Sequence, residues 1–270
     1  MSTVAARRRH PLALAVLLTL ALMVIGLVYS AASSMTEAEA ASASPVAATQ
    51  IEEGRQLFLE GCSSCHGLNA QGGTDNAQGI TGPTLVGVGA AAVDFQVGTG
   101  RMPLSYPQAQ APQGEVQYTQ DEIDAMAAYV ASLGPGPSVP SEEDLDLSDA
   151  DVARGGDLWR GNCAQCHNSS GAGGALTDGK YAPNLNDATP RQIWNAMTTG
   201  PQSMPVFADG TVTPEEKRDI ISYIVADQEA DAPGGFTLGQ VGPVSEGLMI
   251  WVVGLGVLAA VAVWIGAKSS

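Results

Sequence analysis

The sequence predicts a mainly α fold made of two tandem copies of one small helical domain, with an apolar helix at either end. Three observations carry this. The pentapeptide Cys62-Ser63-Ser64-Cys65-His66 recurs as Cys163-Ala164-Gln165-Cys166-His167, and its surroundings recur with it. Each copy closes on a segment that opens with a capping box and continues with apolar residues at helical spacing. Residues 12–32 and 248–267 are apolar runs without a single charge.

Residues 12–32 follow Arg7-Arg8-Arg9 and lead into a tract of small residues. The run is at the short end for a membrane span and long for a signal h-region. Residues 1–34 are therefore either a cleaved signal peptide or a retained anchor. Residues 35–50 have the small, polar composition of a linker.

The first domain is expected over 51–134. Its opening helix offers a small residue and an aromatic, Gly54 and Phe58, ahead of Cys62-x-x-Cys65-His66. C-x-x-C-H is the attachment sequence of a c-type haem. Two thiols three positions apart can each add across one vinyl group of the same porphyrin, and the next residue sets an imidazole on the iron. The chain has 4 cysteines and 3 histidines; the two motifs use all the cysteines and all the histidines but His10. A zinc site would need pairs about a hundred residues apart to converge. A disulfide would leave the adjacent histidine unexplained twice, and no βαβ context supports a thioredoxin-type motif. Two covalently bound c-type haems are expected, held by Cys62 and Cys65, and by Cys163 and Cys166, with His66 and His167 on the irons. Large cofactors also suit a chain with 5% aromatic residues, 32 glycines and 16 prolines.

After the motif, Gly82-Pro83-Thr84-Leu85 parallels Ala182-Pro183-Asn184-Leu185, and Arg101-Met102-Pro103 parallels Ser203-Met204-Pro205. Pro83 and Pro183 are expected on the histidine side of each haem, where a nearby carbonyl orients the imidazole. Met102 and Met204 are the candidate sixth ligands, 36 and 37 residues after His66 and His167. A thioether opposite an imidazole raises the reduction potential and closes the iron to substrates. Met126 and Met197 are rivals, but both fall on expected helices, where methionine more often fills core. Arg101 is read either as a partner for a haem propionate or as an exposed surface residue.

Thr119-Gln120-Asp121-Glu122 then opens the closing helix, with Ile123, Met126, Ala127 and Val130 on one face. Residues 135–151, rich in Pro, Gly and acid, are expected to be a linker. The second domain, over 152–230, repeats the plan with Gly155, Trp159 and a closing helix capped by Thr213-Pro214-Glu215-Glu216. Residues 231–246 connect to a C-terminal transmembrane helix over 247–268, with Trp251 and Trp264 towards its two ends.

Of the 12 basic residues, Arg7, Arg8, Arg9 and Lys268 flank the two apolar runs. The other 8 share residues 37–246 with all 28 acids, a formal −20 for that stretch. Nucleic acid is excluded as a partner for such a surface. Basic residues mark the cytoplasmic side, so both ends are expected inside and the acidic, haem-bearing middle outside.

The order of helix, C-x-x-C-H, proline loop, methionine and crossing helix resembles the class I cytochrome c fold, in two tandem domains here. Over nearly the whole chain the sequence is similar to the dihaem cytochrome cc subunits of the actinobacterial cytochrome bc1 complex. The likeness covers 95–103 (Phe95-Gln96-Val97-Gly98-Thr99-Gly100-Arg101-Met102-Pro103), Gln110-Ala111-Pro112 and Ala153-Arg154-Gly155-Gly156-Asp157-Leu158. It extends to Gly179-Lys180-Tyr181-Ala182-Pro183, Gly200-Pro201-Gln202-Ser203-Met204-Pro205, Pro233-Gly234-Gly235-Phe236 and Trp264-Ile265-Gly266-Ala267-Lys268. That resemblance implies a membrane-anchored electron carrier beside cytochrome b and a Rieske iron–sulfur subunit. It would pass electrons to the copper-centre subunit of an aa3-type oxidase. It also implies part in a quinol–cytochrome c reductase without a catalytic site of its own. The alternatives are a dihaem carrier for a periplasmic dehydrogenase or another oxidase, and a dihaem peroxidase, which methionine on both irons argues against.

Overall fold

The computed structural model describes residues 15–27, 45–73, 82–106, 108–230 and 247–268. The chain forms two units, residues 1–50 and 51–270. In the first, the apolar run is helical over α1 (Ala15–Leu27), and its side chains are exposed. The remainder of that run, the charged flank before it and the connection over 231–246 lie outside the described residues.

The larger unit begins within α2 (Pro45–Gly61), followed by the one-turn α3 (Ser63–His66), α4 (Ala90–Gly98) and α5 (Gln120–Ser132). The same series recurs as α6 (Val152–Asn162), α7 (Ala164–His167), α8 (Pro190–Thr199) and α9 (Pro214–Glu229). A two-residue antiparallel pair, β1 (Gly174–Ala175) with β2 (Tyr181–Ala182), is added in the second copy.

In each copy the opening and closing helices cross with their backbones in contact. A Cβ on Gly54 would lie 1.9 Å from the Ala125 carbonyl oxygen, and one on Gly155 would lie 1.9 Å from that of Asp219. Only glycine permits so close an approach. One turn later Phe58 meets Tyr129 with ring centroids 5.3 Å apart, and Trp159 meets Tyr223 at 6.2 Å. Ile123, Met126 and Val130 complete one core; Ile220, Ile221 and Ile224 complete the other. The capping boxes form as expected, Thr119 with Glu122 and Thr213 with Glu216. Asp151 caps α6 by accepting from the N–H groups of Ala153 and Arg154.

Two features depart from the sequence reading. Helix α4 had no amphipathic signal, since nearly every one of its side chains is buried or half-buried. It packs against α8 of the other copy. There Asp94, 6% exposed, accepts from Arg191 twice (Nε at 2.9 Å, Nη2 at 2.8 Å), from Gln120 Nε2 at 3.2 Å and from Asn195 Nδ2. The stretch 135–151 is likewise no loose tether. Pro137 accepts from Ala91 N–H at 3.1 Å, the Gly136 backbone lies against Gly89, and Leu145 and Leu147 pack on the second core.

At the C-terminus α10 (Gly247–Lys268) contains a π-helical turn over Ile250–Gly254, and none of its residues is buried. Its 22 residues span about 33 Å at the α-helical rise, enough to cross a bilayer core.

Candidate haem sites

Each motif begins where its opening helix ends. The Cys62 N–H bonds the Phe58 carbonyl and the His66 N–H bonds that of Cys62; Cys163 and His167 repeat both bonds. The one-turn helices α3 and α7 thus turn both cysteines and the histidine out of a single loop. Leaving the motif, Gly67 and Asn168 both take positive φ (79° and 69°), and the chain doubles back. The His66 carbonyl accepts from Gly72 N–H, and the His167 carbonyl accepts from Gly173 N–H.

The returning loops orient the two imidazoles. His66 Nδ1 is 2.8 Å from the Pro83 carbonyl oxygen and His167 Nδ1 is 3.1 Å from that of Pro183. With a carbonyl as acceptor, Nδ1 carries the proton and Nε2 keeps a free lone pair for a metal. Gly82 allows this closeness, since a Cβ there would sit 2.7 Å from His66 Nδ1. Burial holds the His167 pKa below its ordinary value, outweighing the Pro183 carbonyl, so the ring stays neutral as a ligand must be.

The first cysteine of each motif, Cys62 half-buried and Cys163 buried, sits in apolar surroundings. Burial first, and the neighbouring Cys65 second, pushes the Cys62 thiol up to about 11; burial and Cys166 push Cys163 up to about 12. Such thiols are not reactive thiolates. Among the described residues, no three His, Cys, Asp or Glu side chains gather into a metal cluster.

In the second copy Cys163, Cys166, His167 and Met204 all line one cavity of about 400 Å³, within the usual range of cofactor pockets, roughly 300–1,000 Å³. Its walls are mainly apolar, with Leu185, Ile193, Ile220 and Ile224 prominent. Trp159 closes one side, its ring 6.1 Å from that of His167, and its buried Nε1 has no hydrogen-bond partner among the described residues. Met197 also borders the cavity but is 2% exposed and belongs to the core. A planar tetrapyrrole with thioether links fits this donor set: two thiols on one rim, a neutral imidazole, a thioether and an apolar wall. In the first copy Cys62 and Met102 both pack against the core in which Met126 is fully buried. Residues 74–81 of that loop lie outside the described residues.

Residues from the first copy enter the second site, which sequence reasoning missed. Phe95, Thr99, Arg101, Gln110 and Gln113 line the same cavity. Gln110 clamps Tyr181: its Nε2 donates to the Tyr181 carbonyl at 2.8 Å, and its Oε1 accepts from the Tyr181 N–H at 2.9 Å. The exposed alternative for Arg101 is corrected by the structure, where it is 6% exposed with its guanidinium 4.9 Å above the Phe95 ring. Phe95, Thr99, Arg101, Gln110 and Tyr181 all fall in family-like segments, but nothing in the composition of those segments said what they touch.

Residues 51–134 match the cytochrome c family, and residues 150–224 match the family described as cytochrome c oxidase, cbb3-type, subunit III. Several relatives match over most of their length, all named cytochrome bc1 complex cytochrome c subunit. The Corynebacterium efficiens protein is 44% identical over 97% of this chain and 90% of its own. That of Mycobacterium tuberculosis is 45% identical over 97% and 93%, and that of Mycobacterium leprae 47% identical over 81% and 76%.

Proposed function

Because the chain belongs to the cytochrome c subunits of the cytochrome bc1 complex, we propose that it is a membrane-anchored, two-site electron relay. It takes electrons from a Rieske centre beside cytochrome b and delivers them to the copper centre of an aa3-type oxidase. When bound, each c-type haem supplies a one-electron ferric–ferrous couple. The chain's own residues do the rest. Cys62 and Cys65, and Cys163 and Cys166, would anchor the porphyrins, while Nε2 of His66 and His167 would bind iron. Met102 and Met204 would supply the remaining iron ligands and so close the irons to exogenous ligands. The domains span 51–134 and 152–230, and α10 holds them at the membrane, on the side away from the cytoplasm.

The observation that supports this best is that two copies of one redox site share a packed interface, sealed by buried Asp94 with half-buried Arg191. A fixed pair carries charge from one partner to another without the search a diffusing carrier needs. The acidic middle fits this, since a tethered carrier does not need the strongly basic face of a mobile one.

Gentle detergent purification through a tag after Ser270 tests the partners. Cytochrome b, a Rieske protein and oxidase subunits are expected to co-purify, with a reduced-minus-oxidised spectrum of two c-type haems. Recovery of the chain alone, or with a dehydrogenase, would overturn the assignment of partners.

The ligand assignment has its own test. Met102→Leu and Met204→Leu should each turn one low-spin haem high-spin, lower its potential and let it bind carbon monoxide, because leucine offers no donor. Met126→Leu and Met197→Leu should leave both irons low-spin. Electron paramagnetic resonance of the oxidised protein separates these outcomes, and a high-spin signal from Met197→Leu would refute the choice of Met204.

A further inference from the structure

We infer that the second haem site is completed by the first domain, with Arg101 as the cation that receives that haem's propionates. This rests on the proposed presence of a haem at Cys163, Cys166 and His167.

The charge inventory of the cavity points there. Haem carries two carboxylates, and burying an anion without a partner is costly. Among the described lining residues, the second domain contributes polar amides and Asp187 but no lysine or arginine; the one guanidinium in the wall is Arg101. Arg101 in turn lacks an anion. It is nearly buried, stacks on Phe95, and has no carboxylate partner among the described residues, whereas Arg55, Arg154, Arg160, Arg191 and Arg218 all do. A buried arginine without an anion and an anion-binding cavity without a cation complement each other. Guanidinium is also the group best shaped for paired bonds to a carboxylate.

The backbone holds this arrangement. Arg101 N–H and Met102 N–H both donate to the Gln96 carbonyl at 2.9 Å, so the turn after α4 has one geometry. Thr99 Oγ1 donates to the Phe95 carbonyl at 2.6 Å, and Gln110 and Asp94 fasten this segment to the second domain. Arg101 therefore links the two redox sites in adjacent residues: Met102 packs on the first core, where it would ligate the first haem, and Arg101 lines the second cavity. It acts as a positioning and potential-setting residue.

The test is spectroelectrochemical titration of the full complex carrying Arg101→Gln, with Cys163→Ala/Cys166→Ala as the reference that retains only the first haem. A nearby cation favours the reduced iron, so its loss should lower the second haem's midpoint. We expect about a tenfold change in its reduction equilibrium, about 59 mV for one electron. The first haem's midpoint should stay within error, the covalent haem content should be unchanged, and Arg101→Lys should restore part of the shift. A shift confined to the first haem, or no shift in either, overturns the proposal. If the reference variant still carries two covalent haems, the haem assignment itself is wrong, which is a different result.

Discussion

Gly155→Ala is expected to destabilise the second domain by about 3 kcal/mol or more, measured by thermal or denaturant unfolding of the haem-loaded protein. Ordinary overpacking costs about 1–3 kcal/mol, because neighbouring side chains can shift. Here the added methyl would meet the backbone oxygen of Asp219 at 1.9 Å, so α6 and α9 must move apart. That movement would also pull Trp159 from Tyr223 and open the cavity wall beside His167. Gly161, on the same helix, is the internal control. Nothing lies within 4 Å of a Cβ there. Gly161→Ala should therefore stabilise by roughly 0.5–1 kcal/mol through helix propensity alone. Equal effects at both positions would refute backbone contact as the reason for Gly155. Gly54→Ala, against Ala125, should behave as Gly155→Ala does.

Asp94→Ala is expected to loosen the two domains from each other. The carboxylate is 6% exposed and collects Arg191, Asn195 and Gln120; its removal leaves Asn195, fully buried, without that acceptor. Its hydrogen bonds also hold the Arg191 guanidinium above the usual arginine range. Breaking a buried ion pair from one side costs about 3–5 kcal/mol, and the lower figure applies because Arg191 still reaches water. Limited proteolysis should then cut within 135–151, which in the intact protein is pinned by Pro137 and by Leu145 and Leu147. Arg191→Ala should cost at least as much, because it strands the buried Asp94 carboxylate, and the double variant should cost less than the sum of the two, since both remove one interaction. Additive effects and unchanged proteolysis would show that this pair does not join the domains.

What could be read along the chain was chemistry packed into short spacings. C-x-x-C-H, the Pro that follows, the capping boxes and the Gly–aromatic pairs each act within a few residues or one helical turn. The carbonyls of Pro83 and Pro183 do stand on the two imidazoles. The apolar run at 248–267 needs only length and composition to be legible. Helix α4 was not legible, because a helix enclosed on most sides has no polar stripe to set its period. The linker composition of 135–151 misled as to its order: Pro and Gly mark turns but do not say whether a turn is packed.

Taken alone, then, the sequence determined two c-type haem attachment sites, a duplicated helical domain and an apolar helix able to reach a membrane. Those depend on covalent chemistry and on local periodicity, which survive without knowledge of contacts. Only the tertiary structure decided that the two copies form one body, and that Arg101 lines the cavity of the other copy. Asp94 and Arg191 are 97 residues apart in the chain, and Gln110 and Tyr181 are 71 apart. Pairings at such separation are set by how α4 packs on α8 and by the cost of burying a charge without its partner.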